Sequence, residues 1–253
     1  MTVPQDAAGF GVPTGRIVRF PSSTLLRVLH SGGQVVCRVP IRRVGFEHFE
    51  GVGQAIVVAN HHSLVDTPVM FIALPSGRRR RTATVGGLDY FAVRSDQPWR
   101  ERLFRRTVIG FIRGAMNVLL IDREGGEYSH IDRIGSMLEA GWNLMIFPEA
   151  TRSRTGRMGR FRHGAAELAR RHDLPVIPVH IDGTQRVLPP GVRWPRPSTI
   201  HLRAGEPLRS RPDESVGDFT RRLRAAVEAL GEAEPTVDAD ADAATVETLE
   251  SVR

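Results

Sequence analysis

AIVVANHHSLVDTPVM, residues 55–70, decides how this chain is read. The run from Ala55 to Ala59 is too short for a helix and carries the β-branched side chains of a buried strand. Further on, Pro68 suits a first helical turn, where its missing N–H costs nothing, with Asp66 or Thr67 as the cap. A helix is therefore expected from Pro68 to Leu74, and residues 61–65 become a tight turn. Strand, turn and helix in that order form the repeating unit of an α/β sheet.

The alternation continues on either side. TATVG (82–86), NVLLI (117–121), LMIF (144–147), VIPVHI (176–181) and TIHLRA (199–204) read as strands. Helical patterns separate them. These are Trp99 to Met116, the segment of Ile131, Ile134 and Leu138 with Gly141 as its stop, Ala165 to Arg171, and a last helix with Phe219, Leu223, Ala226 and Leu230 on one face. The pattern predicts one α/β domain, a central mostly parallel or mixed sheet covered by helices on both faces.

At the ends the composition changes. Residues 1–22 hold Pro4, Gly9, Gly11, Pro13, Gly15 and Pro21 without periodicity and read as a flexible lead-in. Residues 23–45 mix Leu25, Leu26, Val28, Leu29, Val35, Val36, Val39 and Ile41 with Arg27, Arg38, Arg42 and Arg43, a basic, amphipathic helical element suited to a membrane interface or to covering the core. The main domain is expected over 23–230, and residues 231–253, acidic and poor in large apolar side chains, as a disordered tail.

The 253 residues are 41% hydrophobic, enough for a full core. A single cysteine, Cys37, cannot form an internal disulfide, and the first residues lack a secretion signal, so an intracellular protein is expected. No apolar run approaches the roughly 18 residues of a membrane span. The net charge of +7 is unevenly spread: residues 229–253 carry seven acids and one base, which leaves +13 on residues 1–228, all of its cations arginine. Such a surface favours polyanions, whether nucleic acid, anionic lipid or phosphorylated small molecules.

The turn after the first strand can be read in more than one way. His61 and His62 lie where a strand ends, and ligands of open α/β sheets gather outside the carboxyl ends of strands. Were residues 61–66 helical, His61 and Asp66 would face apart by roughly 140°; a turn can fold the carboxylate back onto the imidazole. That contact would fix the tautomer and leave the other ring nitrogen to take a proton from an alcohol. Alternatively, Ser63 with Asp66 three residues on matches a helix capping box. A metal site is a third reading, although no H-x-x-x-H pair or cysteine cluster completes a ligand set, and no G-x-S-x-G elbow supports a serine nucleophile.

A second stretch, FPEATRSRTGRMGRFRHG (147–164), also starts at a strand's carboxyl end. Arg152, Arg154, Arg157, Arg160 and Arg162 on this glycine-broken loop could clamp a phosphate through bidentate guanidinium contacts. Phe147, Pro148 and Phe161 imply that part of it packs down.

NHHSLVD (60–66) and FPEATRS (147–153) resemble the N-H-x-S-x-x-D and F-P-E-G-T-R-S motifs of the glycerolipid acyltransferases, in the same order and about 85 residues apart. LLIDR (119–123), VIPV (176–179) and FRHG (161–164) are similar to further blocks of that family, so the resemblance spans roughly residues 50–205. Ala150 and Asn117 stand where the family usually has glycine, and Leu120 where it has phenylalanine. The resemblance implies transfer of a fatty acyl group from acyl-CoA or acyl carrier protein, the donor being a co-substrate with no bound cofactor and no metal. The acceptor would be a lysophospholipid, above all 1-acylglycerol-3-phosphate, or another lysophospholipid or a glycolipid. It implies His61 as general base with Asp66 orienting it, Arg123, Glu149 and Arg152 binding the glycerol phosphate, and Thr151 and Ser153 shaping the loop. An enzyme of this kind would sit peripherally on the inner, anionic face of the cell membrane. A nucleic-acid-binding module would also use the arginines, but it predicts aromatic side chains interleaved among them, and aromatics are only 6% of the chain.

Overall fold

A computed structural model describes residues 39–63, 65–87, 117–121, 127–153, 157–187 and 196–233. Seven strands form one sheet: β1 (Ile41–Val44), β2 (Ile56–Ala59), β3 (Thr82–Gly87), β4 (Val118–Ile121), β5 (Asn143–Ile146), β6 (Val176–Asp182) and β7 (Ile200–Ala204). Between them run α1 (Asp66–Ala73), α2 (Ser76–Arg79), α3 (Glu127–Glu139), α4 (Gly164–Arg171) and α5 (Thr184–Val187), and α6 (Val216–Glu232) follows the last strand. The spatial order is β1-β7-β6-β2-β5-β3-β4. From β6 to β4 every pairing is parallel; β7 lies antiparallel to β6, and β1 runs parallel with β7. The expected mixed α/β sheet is thus observed, with two reversed strands at one edge.

Burial follows from strand chemistry. All four residues of β2 are buried, and side chains of a strand alternate between faces. Val57 and Ala59 join the cluster under α1 with Met70, Phe71 and Leu74, while Ile56 and Val58 join the opposite cluster with Leu144, Phe219, Leu223 and Val227. In α6 the buried stripe is Phe219, Leu223 and Val227, so it passes through Val227 where the sequence pattern suggested Ala226. Burying each such side chain contributes about 1.5–3 kcal/mol. Ser215 caps this helix by accepting from the Asp218 amide. Pro178 sits inside β6 without harm: its carbonyl accepts from Gly205 N–H (2.9 Å), so its missing N–H faces the point where β7 ends.

Three boundaries depart from expectation. Ile41–Val44 is a strand, not part of a helical element, because Ile41 and Val44 are β-branched and the segment pairs with β7 along its full length. The rest of that expected element, through residue 38, lies outside the described residues, as do the lead-in, the helix expected over Trp99 to Met116, and the tail from residue 234. Helix α1 starts at Asp66, ahead of the predicted Pro68, and α6 runs through Gly231 to Glu232.

At the amino ends of the strands one guanidinium gathers the loops. Arg78 donates to Gly53 O and Asn143 Oδ1 (both 2.9 Å), to Phe49 O (3.0 Å) and to Val52 O. Among the described residues no carboxylate pairs with it, and burial lowers its pKa. This end is structural, and the chemistry-bearing motifs lie at the other.

Candidate active site

At the carboxyl end of β2 the chain is fixed by Asn60, wholly buried, whose amide donates to Ile181 O (2.8 Å) and accepts from Ile181 N (2.7 Å). This two-way bond locks the end of β2 to β6 and sets where His61 leaves the sheet. In the sequence Asn60 shows only as the first letter of N-H-x-S-x-x-D.

The next turn closes on one oxygen. Asp66 Oδ2 accepts from His62 N (2.7 Å), from Ser63 N (2.8 Å) and from the ring of His61, whose Nδ1 lies 2.8 Å away. Only half of the expected capping box forms: Asp66 accepts from the Ser63 amide, but the Asp66 amide donates to Ser63 O and the helix N-cap is Val65, without a side-chain cap bond; the carboxylate that holds the turn's amides also meets the imidazole. Asp66 is fully buried, whereas the His61 side chain keeps 19% of its exposure. A carboxylate only accepts, so Nδ1 carries the shared proton and the Nε2 lone pair is left to act as a base. Nε2 bonds to nothing among the described residues. The adjacent His62 is buried, with 8% of its surface exposed.

The second motif lies directly against this corner. Phe147 stacks on the His61 ring, centroids 4.2 Å apart and planes at 19°. Ser153 N donates to His61 O (2.8 Å), which draws Thr151, Arg152 and Ser153 beside the histidine. Glu149 accepts from His61 N through Oε1 (2.8 Å) and from Gly159 N through Oε2 (2.7 Å). Phe147, Pro148 and Phe161 are buried, while Arg157, Arg160 and Arg162 are exposed along the loop and Arg152 is half-buried. The loop is packed on α6 through His163 Nδ1 and Thr220 Oγ1 (3.0 Å) and through Arg224 Nε and Gly159 O (3.2 Å). Arg123 and Arg154 lie outside the described residues.

Ala150 and Asn117, both at positions where glycine was usual, have positive φ, 60° and 47°. This is backbone that glycine adopts without strain. Asparagine tolerates the left-handed region, and alanine does so at a cost of roughly 1–2 kcal/mol.

The fold and the His61–Asp66 corner define an α/β site with a paired histidine and carboxylate at a strand's carboxyl end, framed by an arginine-rich loop. Residues 41–182 match the family model Acyltransferase, and the chain belongs to that glycerolipid acyltransferase family. Among curated proteins it is similar to 1-acyl-sn-glycerol-3-phosphate acyltransferase BAT2, chloroplastic, of Brassica napus, 27% identical over 138 residues, 54% of this chain and 35% of that one. It is also similar to 1-acyl-sn-glycerol-3-phosphate acyltransferase alpha of Homo sapiens, 29% identical over 174 residues, 68% of this chain and 55% of that one. The chain thus spans between about a third and just over half of the length of these relatives. In fold it resembles the crystal structure of the 1-acyl-sn-glycerophosphate acyltransferase PlsC from Thermotoga maritima, with a TM-score of 0.63, 21% identity, and 85% and 82% of the two chains covered.

Proposed function

We propose that the protein transfers a fatty acyl group from an acyl thioester to the free hydroxyl of a lysophospholipid, with 1-acylglycerol-3-phosphate as acceptor and phosphatidate as product. The observation that carries this reading is the His61 Nδ1 to Asp66 Oδ2 contact of 2.8 Å, which leaves Nε2 accessible beside the arginine-bearing loop. Nε2 takes the proton of the acceptor hydroxyl as its oxygen attacks the thioester carbonyl. This general-base step contributes roughly 10² to 10⁴ in rate, and Asp66 also stabilises the imidazolium that forms. Collapse of the tetrahedral intermediate forms the ester and expels the thiolate, which recovers the proton from His61. No acyl-enzyme is needed.

Arg152, with Arg123 and the exposed arginines of the loop, supplies bidentate donors for the acceptor phosphate, and Thr151 and Ser153 shape the loop that carries them. The charge of +13 on residues 1–228 suits an anionic acceptor, an anionic donor such as acyl-CoA or acyl carrier protein, and an anionic membrane surface. No helix among the described residues is long and apolar enough to cross a membrane, consistent with peripheral attachment to the inner leaflet. Relatives named as 1-acyl-sn-glycerol-3-phosphate acyltransferases support the acceptor.

The test is direct. Purified protein is given radiolabelled acyl-CoA or acyl carrier protein thioester with a panel of acceptors, and labelled phosphatidate from lysophosphatidate is expected. Transfer only to acceptors without a phosphate would overturn the reading. Sedimentation with phosphatidylglycerol vesicles, but not with phosphatidylcholine vesicles, is expected for the membrane partner.

A further inference from the structure

We propose that Glu149 is a positioning residue for His61 and not a ligand of the acceptor, and that it acts by clamping the Gly159 peptide against the base; this rests on His61 being the base. Each carboxylate oxygen is already engaged by a peptide N–H, Oε1 by His61 (2.8 Å) and Oε2 by Gly159 (2.7 Å). The residue is only 8% exposed and pairs with no cation among the described residues. A carboxylate so placed has little left to offer a hydroxyl in solution, whereas it can determine where His61 sits.

Gly159 is built for the contact. A Cβ there would lie 2.9 Å from Glu149 Oε2, so a side chain at this position would push the carboxylate away from the amide it accepts. On its other side the Gly159 carbonyl accepts from Arg224 Nε of α6 (3.2 Å). The result is a continuous path: α6 holds Gly159, Gly159 holds Glu149, and Glu149 holds the His61 amide. Meanwhile Ser153 N takes the His61 carbonyl (2.8 Å). Both peptide groups of the base are therefore tied to the loop that carries the arginines, and phosphate-binding side chains and base are set in one frame. A displacement of about 1 Å in such a frame can cost about 10² in rate without loss of binding.

Glu149→Gln is nearly isosteric but turns an amide NH₂ toward one of the two N–H donors and breaks that bond. In steady-state assays with lysophosphatidate it should lower kcat about 10- to 100-fold and leave KM within about threefold. Gly159→Ala should shift kcat in the same direction, and the double variant should lose little more than the worse single one, because both break one clamp. Arg224→Met, on an exposed part of α6, gives a milder version if the others fold poorly. Calorimetric binding of lysophosphatidate to His61→Ala separates the roles: adding Glu149→Gln should leave Kd within about threefold. A tenfold weaker Kd, a raised KM with kcat kept, or full activity of Glu149→Gln would overturn the inference. Undiminished turnover by His61→Ala would instead overturn the reading of His61 as base.

Discussion

The ring of His61 lies against that of Phe147, 4.2 Å between centroids and 19° from parallel, while its Nδ1 meets Asp66 Oδ2 at 2.8 Å. One contact fixes the plane of the imidazole and the other its rotation within that plane. If His61 is the base, as proposed above, it is held ready before any substrate arrives, which lowers the reorganisation its reaction needs.

Replacing His61 should leave the fold standing. His61→Ala is expected to lose about 10² or more in kcat, with a circular-dichroism melt close to that of the parent protein. Asp66→Asn separates turn from charge, since an amide oxygen can still accept from the His62 and Ser63 amides but no longer stabilises an imidazolium. Its kcat should drop by about 10² to 10⁴ while the far-ultraviolet spectrum is kept. Loss of the spectrum instead would mean that Asp66 matters chiefly as a cap.

Ala150 holds φ at 60°, where glycine is unstrained. Ala150→Gly should raise stability by about 0.5–1 kcal/mol, the relief of left-handed strain being partly offset by the greater freedom of glycine in the unfolded chain. Ala150→Val should be markedly destabilising. Urea titrations of the three proteins check the order.

Arg78 gathers four acceptors far from the base, at the opposite ends of the strands. Arg78→Ala would leave Asn143 Oδ1 and several loop carbonyls without this donor and should cost about 2–3 kcal/mol. At a temperature where the variant is folded, kcat should match that of the parent. A reduced kcat with an unchanged denaturation midpoint would contradict this division of the molecule into a structural and a chemical end.

His180 lies half-buried on β6, and burial, aided by Arg203, lowers its pKa from 6.5 to about 4. Below pH 6.5 the unfolded chain therefore binds a proton that the folded chain refuses, and stability falls as pH drops from about 6.5 towards about 4. His180→Gln should flatten this slope. Denaturation midpoints of both proteins at pH 5 and pH 7 give the comparison, and equal slopes would show that other groups account for the acid lability.

Much of this architecture could be read from the chain because buried strands write themselves as short apolar runs. β2, β5 and β6 lie within a residue or so of AIVVA, LMIF and VIPVHI. The reversal of β7 left no trace, since periodicity records which face is buried and not which strand lies alongside. β1 was hidden for a related reason: Arg42 and Arg43 on an edge strand look like the polar face of a helix. At the site, the pairing of His61 with Asp66 was legible from spacing because a turn was required between strand and helix. The engagement of Glu149 was not, because its partners are backbone amides, which every residue offers and no motif distinguishes.

The reversal of β7 and β1 also decides at which rim of the sheet β1 begins. β1 runs opposite to β2, so it starts at the end where β2 finishes and His61 projects. Val39 and Pro40, which lead into β1, therefore lie at the rim that carries the His61–Asp66 pair, and there Pro40 O accepts from Ile200 N at 2.9 Å, joining the starts of β1 and β7.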